Sequence, residues 1–407
     1  VIAENGQLTG ELPGRLVRFF EGYDFFALAQ ILPSLRAELQ LSPTGAGILL
    51  AIINLGTVLA GLVVRLADRF GRRRMLSVTI VGYTLCSLLT AFATDVVTFG
   101  FAQLLARIFL IGEWAIAMVV AAEELPAEKR GTMIGIIQGA ATLGAITCAA
   151  VVPMLLKTSL GWRAVYVAGA VPLVLVAFAR RGLRETRRFA EQAAADGTNK
   201  KKGNPFALLR GPYRRRVLEL GLIWSLTYAC TQSATTFWKE FAVGERGFSD
   251  AQVGAALSIS ALAAMPLVFF SGKLLDVVGR RRGGSIIFVA GGLGVVFAYT
   301  FTGFVPLTLA LVIAVFGTNA ALPVLNAYTA ELFPTDARAD AFALANNGLG
   351  RIGYVLSPAL VGFAAERAGF GTAVAATAVP FLLALLLILR GLPETRGKEL
   401  EETAQLH

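Results

Sequence analysis

Two short basic links, 208 residues apart, constrain this chain more than any other feature. The first reads Arg65-Leu66-Ala67-Asp68-Arg69-Phe70-Gly71-Arg72-Arg73-Arg74-Met75 and lies between two long apolar runs. The second reads Gly272-Lys273-Leu274-Leu275-Asp276-Val277-Val278-Gly279-Arg280-Arg281-Arg282. Asp68 and Asp276 are 208 apart, as are Gly71 and Gly279. The stretch from Glu123 through Pro126 to Arg130 answers Glu331, Pro334 and Arg338 at the same offset, and Arg184-Glu185-Thr186 answers Pro393-Glu394-Thr395 at 209. Three motif pairs in register make the chain two copies of one unit. A basic link this short between membrane-length runs reads as a tight cytoplasmic turn, because positive loops stay inside. Asp68 can cap the next segment or pair with the arginines, and Gly71 allows a backbone geometry that a Cβ would block.

Composition points the same way. Of 407 residues, 56% are hydrophobic and only 16% charged, with a mean hydropathy of +0.66. Soluble domains carry about 25% charged residues, so this is a polytopic membrane protein. The net charge of +10 sits in short links between apolar runs. A nucleic-acid binder gathers its charge on one exposed face, so no nucleic-acid partner is expected. Cys86, Cys148 and Cys230 fall inside apolar runs with neither disulfide nor metal spacing. The only histidine is His407, the last residue. Histidine relays, metal sites and Ser-His-Asp chemistry are thereby set aside, and no cofactor is expected. There is no Gly-Lys-Ser/Thr loop for ATP. Gly291-Gly292-x-Gly294 lies inside an apolar run, where small residues let helices approach.

The apolar pattern predicts twelve spans: 15–35, 44–66, 75–94, 97–122, 131–156 and 162–180, then 217–241, 250–272, 283–302, 306–330, 339–363 and 370–390. Each supplies the roughly 20 residues a bilayer needs. The domains are thus an N-terminal bundle over 1–180, a basic cytoplasmic linker over 181–214, and a C-terminal bundle with its tail over 215–407. The linker portion Glu191–Gly203 is polar and reads as flexible. Residues 1–14 read as a polar cytosolic lead, and both termini are expected in the cytoplasm. The opposite links carry few basic residues.

With these motifs in hand, the chain resembles the major facilitator superfamily along essentially its whole length. The family's loop signature is Gly, three residues, Asp, two residues, Gly, Arg. The second copy matches with Gly272, Asp276, Gly279 and Arg280, whereas the first carries Val64 at the leading Gly position. Three further pieces resemble its metabolite, organic-ion and sugar-porter branches: Glu331 to Arg338, Gly350-Arg351-Ile352-Gly353 with Ser357-Pro358, and Leu392-Pro393-Glu394-Thr395-Arg396-Gly397. Glu21-Gly22-Tyr23-Asp24 is similar to the Asp-Gly-x-Asp signature of aromatic-acid/proton symporters, with Glu in the first place. The resemblance implies an all-α membrane protein of twelve transmembrane helices in two pseudo-symmetric six-helix bundles. It implies a small-molecule substrate and protons as partners, a monomer, and alternating access about a midplane site. Compactness and the lack of a large external loop suit a bacterial inner membrane.

Charges inside apolar spans cost about 2.5 kcal/mol or more, so each is a functional candidate. Glu21 and Asp24 are three apart in the first span, on one helix face. Neighbouring carboxylates in a low dielectric do not both ionise cheaply, which suits a proton carrier. The structural alternative for Glu21 is a pair with Arg15 or Arg18. Arg107 and Glu113 lie in the fourth span. Asp24 is the expected partner of Arg107, because the resemblance has the first and fourth helices face each other. Protonation of Asp24, or a substrate carboxylate, would release Arg107. Positions 208 beyond Asp24, Arg107 and Glu113 hold Gln232, Val315 and Ala321, which assigns proton coupling to the first copy.

In the second copy, Arg351 follows Asn346 and Asn347. The resemblance to organic-ion carriers implies that an arginine at this place suits anionic substrates, and a guanidinium holds a carboxylate bidentately; the alternative is snorkelling or a pair with an acid at a helix end. Tyr23, Phe26, Gln30, Gln138, Trp224, Tyr228, Gln232, Asn319, Asn326 and Tyr328 are candidates to line a cavity, although aromatics in membrane helices also serve packing. Trp238, beside Lys239, reads as an interfacial anchor. The pairs Asp68/Arg72, Glu123/Arg130, Asp276/Arg280 and Glu331/Arg338 resemble the family's cytoplasmic charge networks, which gate rather than bind substrate. The leading expectation is proton-coupled transport of a small organic anion, an aromatic or other monocarboxylate. The alternatives are proton-antiport export of drugs or organic cations, and carriage of a sugar or neutral metabolite.

Overall fold

The computed structural model describes residues 8–124, 127–170 and 208–396. The end of the sixth span and most of the linker (171–207), the tail from 397, and the side chains of Asp68, Glu123 and Arg130 lie outside the described residues. All regular structure among the described residues is helical. The first copy supplies α1 (Leu8–Glu38), α2 (Pro43–Phe70), α3 (Arg72–Ala91), α4 (Val96–Glu124), α5 (Ala127–Leu155) and, of the sixth span, helical residues 163–170 (α6). The second supplies α7 (Arg214–Thr236), α8 (Trp238–Gly244), α9 (Asp250–Val278), α10 (Arg280–Thr300), α11 (Phe304–Glu331), α12 (Thr335–Phe342), a π-helical segment Ala343–Gly350, α13 (Arg351–Ala375) and α14 (Ala378–Gly391).

Eight stretches of the described residues are long and apolar enough to cross a membrane. α1 is not among them because Arg18, Glu21 and Asp24 interrupt it, and all three are buried by protein. α7 carries hydroxyl and amide groups from Ser225 to Thr236, most of them buried as well. Polar side chains in a membrane are costly, so both helices turn them inward.

The helices start and stop where local chemistry dictates. Gly71 and Gly279 take φ of 96° and 99°, and each turns the chain from one helix straight into the next. That is the geometry expected at Gly71, open to glycine alone at no steric cost, and Gly279 repeats it. Asp95 accepts from the N–H groups of Val97 and Thr98 at the head of α4. Ser249 and Gln252 form a capping box on α9.

Three expectations are corrected. Residues 8–14 continue α1 and are not a separate lead. The seventh span breaks at Phe237, so α8 is a short helix of its own; its Trp238 is 0% exposed and is no interfacial anchor. The eleventh span is not one regular helix: it changes to π geometry before Arg351. Gly369, with φ of 78°, divides α13, so the twelfth span begins at Phe370 as the apolar pattern predicts.

The described chain falls into two compact units, Val1–Gln40 with Ile52–Lys200 and Leu41–Ala51 with Lys201–His407. In the first, α1 packs on α5 and α3 on α4. In the second the matching pairs are α7 on α13 and α10 on α11. The approach is close in both: a Cβ on Gly144 would lie 1.8 Å from the carbonyl oxygen of Phe19, and one on Gly353 would lie 1.9 Å from that of Ser225. Small residues at such crossings are how membrane helices gain packing. A buried cluster of Ile80, Tyr83, Cys86, Ala106 and Leu110 joins α3 to α4.

Each unit also carries a polar clasp that no motif announced. In the first, Glu38 at the end of α1 accepts from Trp162 Nε1 at 2.7 Å and from Arg163 Nη1 at 2.6 Å. Arg163 Nη2 reaches the carbonyl of Ala93 beyond α3 at 2.9 Å. In the second, Glu245 after α8 accepts from the backbone N–H groups of Phe370 and Gly371. Arg246 reaches the carbonyls of Phe301 and Thr300 at the end of α10 at 3.0 and 3.2 Å. Ala93 and Phe301 are 208 apart.

Candidate functional site

In the first unit the buried charges of α1 and α4 sort into two groups. Arg18 Nη1 lies 2.5 Å from Glu21 Oε2, and Arg18 Nη2 donates to the carbonyl of Trp114 at 3.1 Å. Glu21 therefore has the local partner foreseen as its structural alternative. Asp24, one turn deeper, faces α3. Its Oδ2 accepts from Tyr83 Oη and, at 2.8 Å, from Ser87 Oγ. Its Oδ1 is buried and has no partner among the described residues. A Cβ on Gly169 of α6 would sit 2.3 Å from that same oxygen, so the absent side chain makes room for it.

The expected Asp24–Arg107 ion pair does not form. The Arg107 guanidinium stacks on the Phe25 ring, 4.5 Å from its centroid, and its buried Nη1 has no partner among the described residues. Two hydroxyl donors and one aromatic face thus do what a direct pair was expected to do. Arg107 still lies within electrostatic reach of Asp24. Glu113 is buried on the same helix.

In the second unit the polar groups gather around Arg351. Its guanidinium lies 5.1 Å from the Tyr228 ring centroid and 4.8 Å from that of Tyr354. Its Nε is buried without a partner among the described residues. Tyr228 donates to Asn346 Oδ1 at 2.9 Å, and its ring lies 5.2 Å from Trp224. Trp224 Nε1 donates to Thr329 Oγ1 at 3.1 Å. A half-buried guanidinium between two tyrosines, with an unused N–H, can receive a planar anion.

Other candidates stand apart from these centres. Tyr23 is buried and its hydroxyl donates to the carbonyl of Val165 at 3.3 Å. Gln30 and Gln232 are buried. Gln138 is exposed and meets Trp114 at 3.5 Å. Asn319 is exposed and bonds back to the carbonyl of Val315 at 2.8 Å, and Asn347 is exposed beside the centre, unlike Asn346. Tyr83, Ser87 and Tyr354 were missed. The spacing of Tyr83 and Ser87, one α-turn apart, was the available signal for a shared polar face.

In the second unit a charge network gathers around Arg280. Arg280 bridges Asp276 and Glu331, each at 3.0 Å. Thr395 donates to Glu331, and Glu394 accepts from the backbone N–H groups of Arg280 and Arg281 at 2.8 and 3.0 Å. Burial pushes the Glu394 carboxyl up, but backbone N–H donors from Arg281, Arg280, Arg396 and Thr395 outweigh it and hold it below the usual range. Arg338 does not join this network; it donates to the carbonyl of Phe333 at 3.4 Å. In the first unit Arg72 opens α3, and its expected partner Asp68, with Glu123 and Arg130, lies outside the described side chains.

The sequence matches the family model described as Major Facilitator Superfamily over residues 16–249 and 220–406. It is 26% identical to the niacin transporter of Acinetobacter baylyi, over 94% of this chain and 93% of that one. It is 24% identical to the cis,cis-muconate transport protein of the same organism, over 88% and 87%. The inward-open conformation of the xylose transporter XylE from E. coli matches with a TM-score of 0.76 and 20% identity, covering 97% of this chain and 98% of that one. That likeness speaks to the fold, two pseudo-symmetric six-helix bundles. The chain is a member of the major facilitator superfamily, an integral membrane carrier and not an enzyme.

Proposed function

We propose that this carrier moves a small organic anion, an aromatic or other monocarboxylate, coupled to protons by alternating access. Arg351 carries the reading: it is the cation of a polar, aromatic centre, and its buried Nε has no acceptor among the described residues. Niacin and cis,cis-muconate, named for two relatives, are both carboxylic acids. Asp24 is the proton carrier, with one oxygen held by hydroxyl donors and the other unbonded. Arg107 supports it from a distance, and the Arg280 network gates the cytoplasmic rim. The setting is a bacterial inner membrane with both termini cytoplasmic, and the working form is a monomer.

The test is thermal stabilisation of purified protein by nicotinate, benzoate and muconate, since a ligand raises the melting point by mass action. A hydrogen bond to a charged group is worth about 1.5–3 kcal/mol. Arg351→Ala should therefore weaken carboxylate binding by about 10- to 100-fold. Undiminished stabilisation in that variant overturns the reading. The second reading, export of a cation against protons, draws on the unpaired Asp24 oxygen. Stabilisation by lipophilic cations alone, in competition with protons, favours it.

A further inference from the structure

Asn346 and Arg351 are five positions apart. At 3.6 residues per turn, an α-helix would set them about 140° apart, facing different neighbours. Here they meet the same ring. Tyr228 donates to Asn346 Oδ1 at 2.9 Å, while the Arg351 guanidinium lies 5.1 Å from the Tyr228 centroid. The cause is the π-helical segment Ala343–Gly350 that ends at Arg351. Its i→i+5 bonding stacks residues five apart over one another, and π-bulges are frequent at functional sites.

The segment is anchored just past its extra residue. A Cβ on Gly350 would lie 2.8 Å from Trp224 Cβ, and one on Gly353 would lie 1.9 Å from the carbonyl oxygen of Ser225. Leu349 fills the space beside Gly221. Gly348, by contrast, is exposed and has ordinary room around it, with Leu344 Cδ1 at 3.5 Å from a built Cβ. Because the Asn346 oxygen is engaged by Tyr228, its amide N–H groups point elsewhere, and they donate to no acceptor among the described residues. Arg351 Nε likewise lacks an acceptor.

We propose that the π segment sets substrate specificity: its one extra residue places the Asn346 amide and the Arg351 guanidinium on one face as a two-point donor clamp for a carboxylate, and Tyr228 is the positioning residue that holds Asn346 to it. This rests on the organic-anion reading above and adds how the anion is told from its neutral analogue. A neutral amide offers the clamp one acceptor oxygen where a carboxylate offers two.

The experiment measures binding of nicotinate and nicotinamide, and of benzoate and benzamide, to the full-length protein in detergent. The wild type should prefer each carboxylate over its amide by about 10-fold or more. Asn346→Ala and Arg351→Lys should each erode that preference. The double variant should be no worse than the weaker single, because a two-point clamp fails once either point is lost. Tyr228→Phe, which keeps the ring but frees Asn346, should lower the preference toward that of Asn346→Ala while the ligand-free melting point falls only by the loss of one buried hydrogen bond. Deletion of Gly348, which removes the extra residue, should abolish it. If that deletion fails to fold, the point-variant cycle decides alone. Multiplying effects in the double variant, a silent Asn346→Ala, or a folded deletion with its preference intact overturns the clamp while leaving the transport reading standing. If no carboxylate binds the wild type, both fall together.

Discussion

At the scale of single residues, the first unit turns on one carboxylate with two unlike oxygens. Oδ2 of Asp24 is committed to Tyr83 and Ser87, and Oδ1 faces the gap at Gly169. Asp24→Asn should keep the hydroxyl contacts and substrate binding but abolish accumulation against a pH gradient; the ratio of internal to external substrate in proteoliposomes reads this, and a variant that still accumulates removes Asp24 from coupling. Gly169→Ala would push a methyl group against Oδ1, so uptake should fall and its pH profile shift while α6 stays folded. The charges themselves were legible in the sequence, because each is expensive in an apolar helix. Their partners were not. Matching Asp24 with Arg107 by charge overlooked that hydroxyl groups and a Phe25 face also satisfy buried ions, and such groups look like ordinary packing in a sequence.

At the scale of elements, the helix ends beside the second basic link are fastened by side chains acting on helix termini. Glu394 sits at the head of α10, where unpaired N–H groups and the helix dipole favour a negative charge. Its carboxyl is lowered in the folded protein, so the stability it contributes is present above its unfolded pKa and lost as pH falls through the folded one. Glu394→Gln should therefore lower the melting temperature at neutral pH, by the equivalent of about 1 kcal/mol for a lost cap. The gap between variant and wild type should close below about pH 4. A gap that persists in acid would mean the carboxylate charge is not what matters. The Pro393-Glu394-Thr395 motif was visible in the sequence, but its work as a cap on a helix more than a hundred residues earlier was not. Helix order and most boundaries followed from apolar run length and from Gly71 and Gly279. The π turn did not, because an inserted residue leaves the apolar run of the eleventh span unbroken.

At the scale of the whole molecule, the repeat is carried by geometry more faithfully than by letters. The short links, the α1–α5 and α7–α13 crossings and the two clasps recur, while Asp24, Arg107 and Arg351 each belong to one copy only. Glu38→Gln and Glu245→Gln should each speed hydrogen exchange at the start of the sixth and twelfth helices of their own unit and leave the other unit unchanged; exchange that rises equally in both would show that the clasps are not independent. The clasps also differ in one respect. The glutamate lies at the end of α1 in one unit and just after α8 in the other, while the arginine comes from the sixth helix in one, as Arg163, and from beside the glutamate in the other, as Arg246. After duplication the same job was therefore handed to different parts of the two copies. The halves are no longer interchangeable: grafting the residues after α8 onto the end of α1 would crowd two guanidiniums at one helix end, and the reverse graft would leave its carbonyls bare.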